Sequence, residues 1–202
     1  MAKSPVPASD RVDERRAQWA RELPDVDTTG MSILGRARWI TLQVRPPIEA
    51  VFSAHGLDAG EFDVLGALLR SGQPYRLRPT ELYRALMISS GGLSDRLSRL
   101  SNAGLIRRPP SDTDGRSLPV ELTPMGRKLA ESAFREDMAV ESRILAGLSE
   151  KDAGALSDLL RKLALTLEAS VSAHEHATSA DTTKGSRPAA KARAARKTTL
   201  KT

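Results

Sequence analysis

Cysteine is absent from the 202 residues, and histidine occurs three times, at His55, His174 and His176. The first absence removes disulfides, thiol nucleophiles and thiolate metal sites together. The second leaves His174 and His176 as neighbours near the start of a polar tail, where solvation is the expected environment rather than metal ligation. No apolar run approaches the roughly 20 residues that span a bilayer. Met1-Ala2-Lys3-Ser4-Pro5 does not open an apolar signal segment. A phosphate-cradling glycine loop and a helical histidine pair at metal-ligand spacing are also missing, so the clustered groups an enzyme needs are not in view. These absences predict a cytoplasmic protein that is not an enzyme, has no contact with membrane, and carries neither metal nor cofactor. Hydrophobic residues make up 40% and charged residues 28%. That is ordinary globular usage and excludes collagen-like and wholly disordered classes.

The formal net charge of +6 is unevenly spread. Residues 177–202 hold seven positive side chains against one negative, and the rest of the chain balances to zero. Within that balanced part, residues 76–128 carry ten Lys or Arg against five Asp or Glu, flanked by segments of negative sum. Positive charge is therefore concentrated where a polyanion would be met.

Along the chain, residues 1–9 hold two prolines and are expected to be disordered. With Ser9 as cap, residues 10–23 read as a short helix ended by Pro24. A second helix starts near Thr28 or Thr29, with Ile33, Ala37, Ile40 and Val44 forming a stripe expected to be buried. Pro46 and Pro47 should kink or restart it, because each lacks an amide donor and its ring crowds the preceding turn. Gly56 is the expected stop. Asp58 and Glu61 have capping-box spacing for a helix reaching Arg70. A turn over Ser71-Gly72-Gln73-Pro74 leads to a short helix over 79–86, a connection Met87-Ile88-Ser89, and a helix over 90–103 whose inner face is Leu93, Leu97 and Leu100. The period then changes. Residues 105–108 and 118–122 are strand-like runs flanking the turn-rich Pro109-to-Arg116 loop, which predicts a β-hairpin. Thr123-Pro124 restarts helix to about 146, and Ser149 to Asp152 resembles a capping box for a last helix rich in leucine. From about 177 the Ala, Lys, Arg, Ser and Thr composition has no apolar period to offset the entropy of ordering.

Helix, helix, turn, helix, hairpin, helix describes a winged helix-turn-helix, so the predicted fold is mainly α with a small β-hairpin wing and a helical dimerisation domain. The second helix of the pair enters the major groove, which asks for small or polar outward positions over an apolar inner face. Ser90, Gly91, Ser94, Asp95, Ser98 and Arg99 lie off the leucine stripe, and Arg96 is placed to reach a phosphate or a guanine edge. The adjacent glycines cost roughly 1 kcal/mol each against alanine inside a helix, a cost that close approach to DNA would offset. The outer helices carry more leucine and isoleucine than a small lobe can bury, which points to a homodimer.

Gly104-Leu105-Ile106-Arg107-Arg108, then Asp114-Gly115-Arg116, then Leu122-Thr123-Pro124-Met125-Gly126 resembles the multiple-antibiotic-resistance-regulator (MarR) family in its Asp-x-Arg wing and Leu-Thr-x-x-Gly strand-to-helix junction. The resemblance covers about residues 30–170. It implies an obligate homodimer whose N- and C-terminal helices form the dimer core and whose winged lobes read two half-sites of double-stranded operator DNA. In that frame Arg116 enters the minor groove and Asp114 orients neighbouring arginines. The implied organisation is a disordered N-terminus (1–9), dimerisation and effector-pocket helices (10–56), a winged helix-turn-helix domain (57–123), C-terminal dimerisation helices (124–176) and a disordered basic tail (177–202). The implied role is a bacterial, nucleoid-associated repressor.

A narrower set, Trp19 in an extra N-terminal helix, Asp63 with Arg70 seven positions on, and Arg108 opening the wing, is similar to the urate-responsive subgroup of the family. The resemblance implies an effector pocket for a small aromatic acid: Trp19 to stack, Arg70 to pair with its charge, and Asp63 and Arg108 to relay occupancy. Urate-like compounds and phenolic, indole or pyridine carboxylates all fit that chemistry. The rival reading is an architectural DNA-binding protein without an effector.

Overall fold

The first helix owes its start to a carboxylate. In the computed structural model, which describes residues 8–86, 92–109 and 118–184 with side chains through residue 170, α1 (Arg11–Glu22) is capped by Asp10 rather than by Ser9. Asp10 Oδ1 accepts from the amides of Val12 and Asp13 at 2.8 and 3.0 Å, and Asp13 reaches back to the Asp10 amide. Arg36 donates to both carboxylates, at 2.8 Å to Asp10 and 2.7 Å to Asp13. Arg36 and the neighbouring amides hold the Asp10 carboxyl down at about 2. α1 is thereby fastened to the next helix, with Val12 buried beneath it.

That next helix has a π-helical turn over Met31–Gly35 and continues as α2 (Arg36–Ala54). Pro46 and Pro47 lie inside α2, which neither stops nor restarts at them. The two missing donors would have served the carbonyls of Leu42 and Gln43, and both residues are exposed, so water is available to those acceptors. The stripe expected to be buried is only partly so. Val44 is half-buried, but Ile33 and Ile40 are 54% and 50% exposed. Only farther along, at Val51 and Phe52, does the helix enter the core. Gly56, at a φ of 71°, ends it as expected, with the Leu57 amide closing back on Phe52 O at 3.0 Å.

α3 (Ala59–Arg70) has the anticipated capping box: Asp58 accepts the Glu61 amide at 2.7 Å and Glu61 accepts the Asp58 amide at 2.9 Å. It is the central helix of the lobe. Val64, Leu65 and Leu68 are fully enclosed, and Phe62 stacks on Phe52 with ring centroids 4.1 Å apart. A two-residue strand, β1 (Arg76–Leu77), follows; sequence patterning does not reveal it because so short a strand has no period. α4 (Pro79–Ala85) and α5 (Leu93–Asn102) form the helix pair. α5 starts at Leu93, later than expected, because Gly92 adopts a φ of 71° and stands before the helix instead of inside its first turn. β2 (Ile106–Arg107) and β3 (Val120–Leu122) pair antiparallel, and the sheet order is β1-β3-β2, with Arg76 and Arg107 both opposite Glu121.

Thr123 caps α6 (Pro124–Leu145): its Oγ1 accepts the Gly126 amide at 3.0 Å and donates to Gly104 O at 2.7 Å. Leu82, Leu97, Leu100, Leu105, Val120 and Leu122 close the core around α3. All of this belongs to a first compact unit, residues 1–146, and residues 147–202 form a second. The second unit holds α7 (Glu150–Lys184), begun by a Ser149–Asp152 interaction at 2.6 Å. α7 is helical to Lys184, eight residues past the point where the basic tail was expected to begin; residues 185–202 and 1–7 lie outside the described residues. Among the described residues no helix is long and apolar enough to cross a membrane.

Candidate nucleic-acid interface and effector site

α5 is amphipathic in the sense the groove-entering role requires. Leu97 and Leu100 are buried against the core and Leu93 is half-buried, whereas Ser94, Asp95 and Ser98 face solvent. Of the other residues expected to meet DNA, Ser90, Gly91, Asp114 and Arg116 lie outside the described residues.

The two arginines of α5 reach to the start of α3. Arg99 was expected to face the groove; its Nε donates to Glu61 at 2.6 Å and its Nη2 to Asp58 at 2.8 Å. Arg96 crosses the first turn of α3 so closely that a Cβ on Gly60 would lie 2.2 Å from its Nε. A side chain at position 60 would displace the Arg96 guanidinium from this place over α3. The capping box of α3 consequently performs two tasks: it starts that helix and anchors the candidate recognition helix. Sequence patterning marks Asp58 and Glu61 as a cap but gives neither of them, nor Gly60, a functional role. The capping signal is local, and the arginine that uses it lies 38 residues beyond Glu61.

The wing is rooted in a buried ion cluster. Glu121, 6% exposed in the central strand, accepts from Arg76 Nε at 2.7 Å on one side and from Arg107 Nε at 3.1 Å, and from its Nη2, on the other. Burial pushes the Glu121 carboxyl up, but the bonds from Arg107 and Arg76 outweigh it, and the net shift is downward. Alternation along Val120-Glu121-Leu122 would put Glu121 at the surface; instead all three residues are buried because β3 is flanked on both edges.

For the effector set, the structure brings two residues together. Asp63 is buried on α3, and Arg70, two turns later on the same face, places Nη2 3.9 Å from Asp63 Oδ1. The same Nη2 donates to the carbonyl of Ala85 at 3.1 Å, at the last residue of α4. Arg70 therefore bridges a buried carboxylate and the end of the helix that precedes the turn into α5. Trp19 sits on α1, 49% exposed, and Arg108 is exposed directly after β2. No group of three or more His, Cys, Asp or Glu among the described residues is arranged to hold a metal.

Comparison with known proteins agrees with this architecture. A family profile described as MarR family matches residues 55–117, the span from the end of α2 through the helix pair into the wing. The transcriptional regulator PecS of Dickeya dadantii is 37% identical over 146 residues, 72% of this chain and 88% of that protein. The crystal structure of the Mycobacterium tuberculosis MarR family protein Rv2887 in complex with salicylic acid superposes with a TM-score of 0.52 at 33% identity, covering 70% of this chain and 99% of that one. AbsC of Streptomyces coelicolor, a MarR family regulator, shares the fold with a TM-score of 0.62 at 23% identity, over 71% and 97% of the two chains. The winged lobe, the Thr123–Gly126 junction and these relatives together show that the chain belongs to the MarR family of transcriptional regulators.

Proposed function

We propose that this protein is a homodimeric repressor that binds a pseudo-palindromic operator and is released from it by a small anionic aromatic effector. The observation that carries the effector part is the double engagement of Arg70. A carboxylate ligand paired with the exposed guanidinium would act through it on the end of α4 and on the buried Asp63 at once, a link that is absent without Arg70. One contact lies on α3 and the other at the last residue of α4, and a ligand moves an equilibrium only through such differential contacts. Trp19 is assigned to stack on the ring, and Arg108, with Asp63, to relay occupancy to the recognition element. The salicylate-bound relative supports the class of ligand.

DNA contact is assigned to Ser90, Gly91, Ser94, Asp95 and Arg96 on or before α5, and to Asp114 and Arg116 in the wing. Arg99 serves as an anchor to α3 that is available to phosphate through its exposed edge. Dimerisation is assigned to residues 10–56 and 124–176. Supporting it, Ile33 in the π-helical turn, Ile40 on α2, Phe134 and Ile144 on α6, and Leu159 and Leu160 on α7 are all exposed in the single chain. A two-fold pair of α5 helices would meet half-sites one turn of duplex apart, roughly 34 Å.

Arg70→Ala tests the reading. In a gel-shift titration with salicylate the wild type is expected to leave its operator, and the variant to bind operator with similar affinity and stay bound. Release of the variant at the wild-type salicylate concentration would exclude Arg70 as the effector contact. Binding without sequence preference or any response to aromatic acids would instead identify an architectural DNA-binding protein.

A further inference from the structure

A groove of about 560 Å³ lies where α1 meets the π-helical turn and the first half of α2. Its walls are Arg11 and Arg15 from α1, and Met31, Leu34, Arg38, Trp39 and Leu42 from the other side. No carboxylate lines it. The acidic residues at the start of α1, Asp10 and Asp13, are turned away onto Arg36. Among the described residues Arg11, Arg15 and Arg38 enter no ion pair with a carboxylate. By contrast, the cavity at the root of the wing has its Arg107 and Arg127 answered by Glu121 and Glu131. Arg11 instead sits over the indole of Trp39, 4.9 Å from the ring centroid, and leaves Trp39 38% exposed.

The groove is kept open by the backbone. Gly30, in ordinary helical conformation, has nothing within 4 Å of where a Cβ would stand, so the space beside it is open. A π-helical turn is uncommon and often marks a functional site. On 3.6-residue geometry Arg38 and Leu42 lie on roughly the opposite side of α2 from Ala37, Ile40 and Val44, so within the 10–56 span the groove occupies a different face from that stripe. It also contains none of Trp19, Asp63, Arg70 and Arg108.

From three uncompensated guanidinium groups around an accessible indole, over an apolar floor and in a volume typical of small-ligand sites, we infer that this groove is a second small-molecule site, taking a planar aromatic carboxylate. The carboxylate pairs with Arg15 and Arg38, and the ring lies against Trp39, Leu34 and Leu42. Binding here is independent of the effector role given to Arg70.

The test uses full-length Trp19→Phe protein, in which Trp39 is the remaining indole, titrated with 4-nitrobenzoate as a quenching aromatic anion and with 4-nitrobenzamide as its uncharged counterpart. Saturable quenching is expected with the acid and not with the amide. Arg15→Ala and Arg38→Ala should each weaken it about tenfold, the effect of one lost charge-assisted bond, and Gly30→Leu should abolish it by filling the groove, with far-UV dichroism unchanged in all three. Repeating the titration after adding Arg70→Ala should give the same curve as Trp19→Phe alone. Quenching that does not saturate, that is equal for acid and amide, that survives all three groove substitutions, or that disappears with Arg70→Ala would overturn the assignment. So would arginine variants that alter the oligomeric state instead of the titration, since the groove would then belong to an interface with a second copy.

Discussion

At Gly126 an added Cβ would lie 1.9 Å from the carbonyl oxygen of Leu105, a backbone atom that cannot swing aside. The glycine of the strand-to-helix junction is therefore a contact requirement, and the threonine three residues before it closes the same joint with its hydroxyl. Gly126→Ala is expected to destabilise the lobe by roughly 1–3 kcal/mol or more, the range for overpacking a filled site, and thermal denaturation would show it; an unchanged midpoint would mean that α6 can slide away from Leu105. Residues whose partners are local in the chain were legible from the sequence, as the Asp58–Glu61 box shows. Arg99 was not, because its direction depends on where α3 passes, and exposure on one flank of α5 looks the same in sequence whether the side chain faces DNA or a carboxylate.

Among the elements, the three-stranded sheet depends on its central carboxylate. Glu121 holds both outer strands through Arg76 and Arg107, so Glu121→Gln should cost roughly 1–3 kcal/mol, the range for losing bonds to a charged group. Its pH dependence follows from the lowered carboxyl: the stabilisation is complete above the ordinary glutamate value of 4.5 and is lost as pH falls through the lower folded value. Denaturation midpoints of wild type and Glu121→Gln should therefore differ at neutral pH and converge in acid; a constant difference down to about pH 2, below the carboxylate range, would remove the charge from the explanation. The hairpin strands were readable from their residue types and the turn-rich loop between them. β1 was not, since its two residues become a strand only by lying beside β3. The double proline does not divide the helix as a restart would: its local penalty is real, but the carbonyls it deprives lie on the exposed side of α2.

For the molecule as a whole, the exposed apolar positions of α2 and α6 set the oligomeric prediction. Burying a fully exposed isoleucine is worth about 1.5–3 kcal/mol, and Ile33 and Ile40 each keep half or more of their surface open to solvent in the single chain. Ile40→Glu is expected to yield a folded monomer by light scattering that no longer shifts operator DNA. A stable dimer that still binds DNA would place the two-fold face elsewhere.

Composition, caps, helical periods and the paired wing and junction motifs determined the fold class, the order of elements and the family, because these signals act over a few residues and need no knowledge of what lies across the core. Tertiary structure alone decided that Arg99 grips α3 from 38 positions away, that Glu121 is buried beneath an arginine 45 positions earlier in the chain, and that α1 and α2 enclose a cationic groove. Each depends on distances between residues remote in sequence, which packing around α3 and the docking of α1 set and no local pattern encodes.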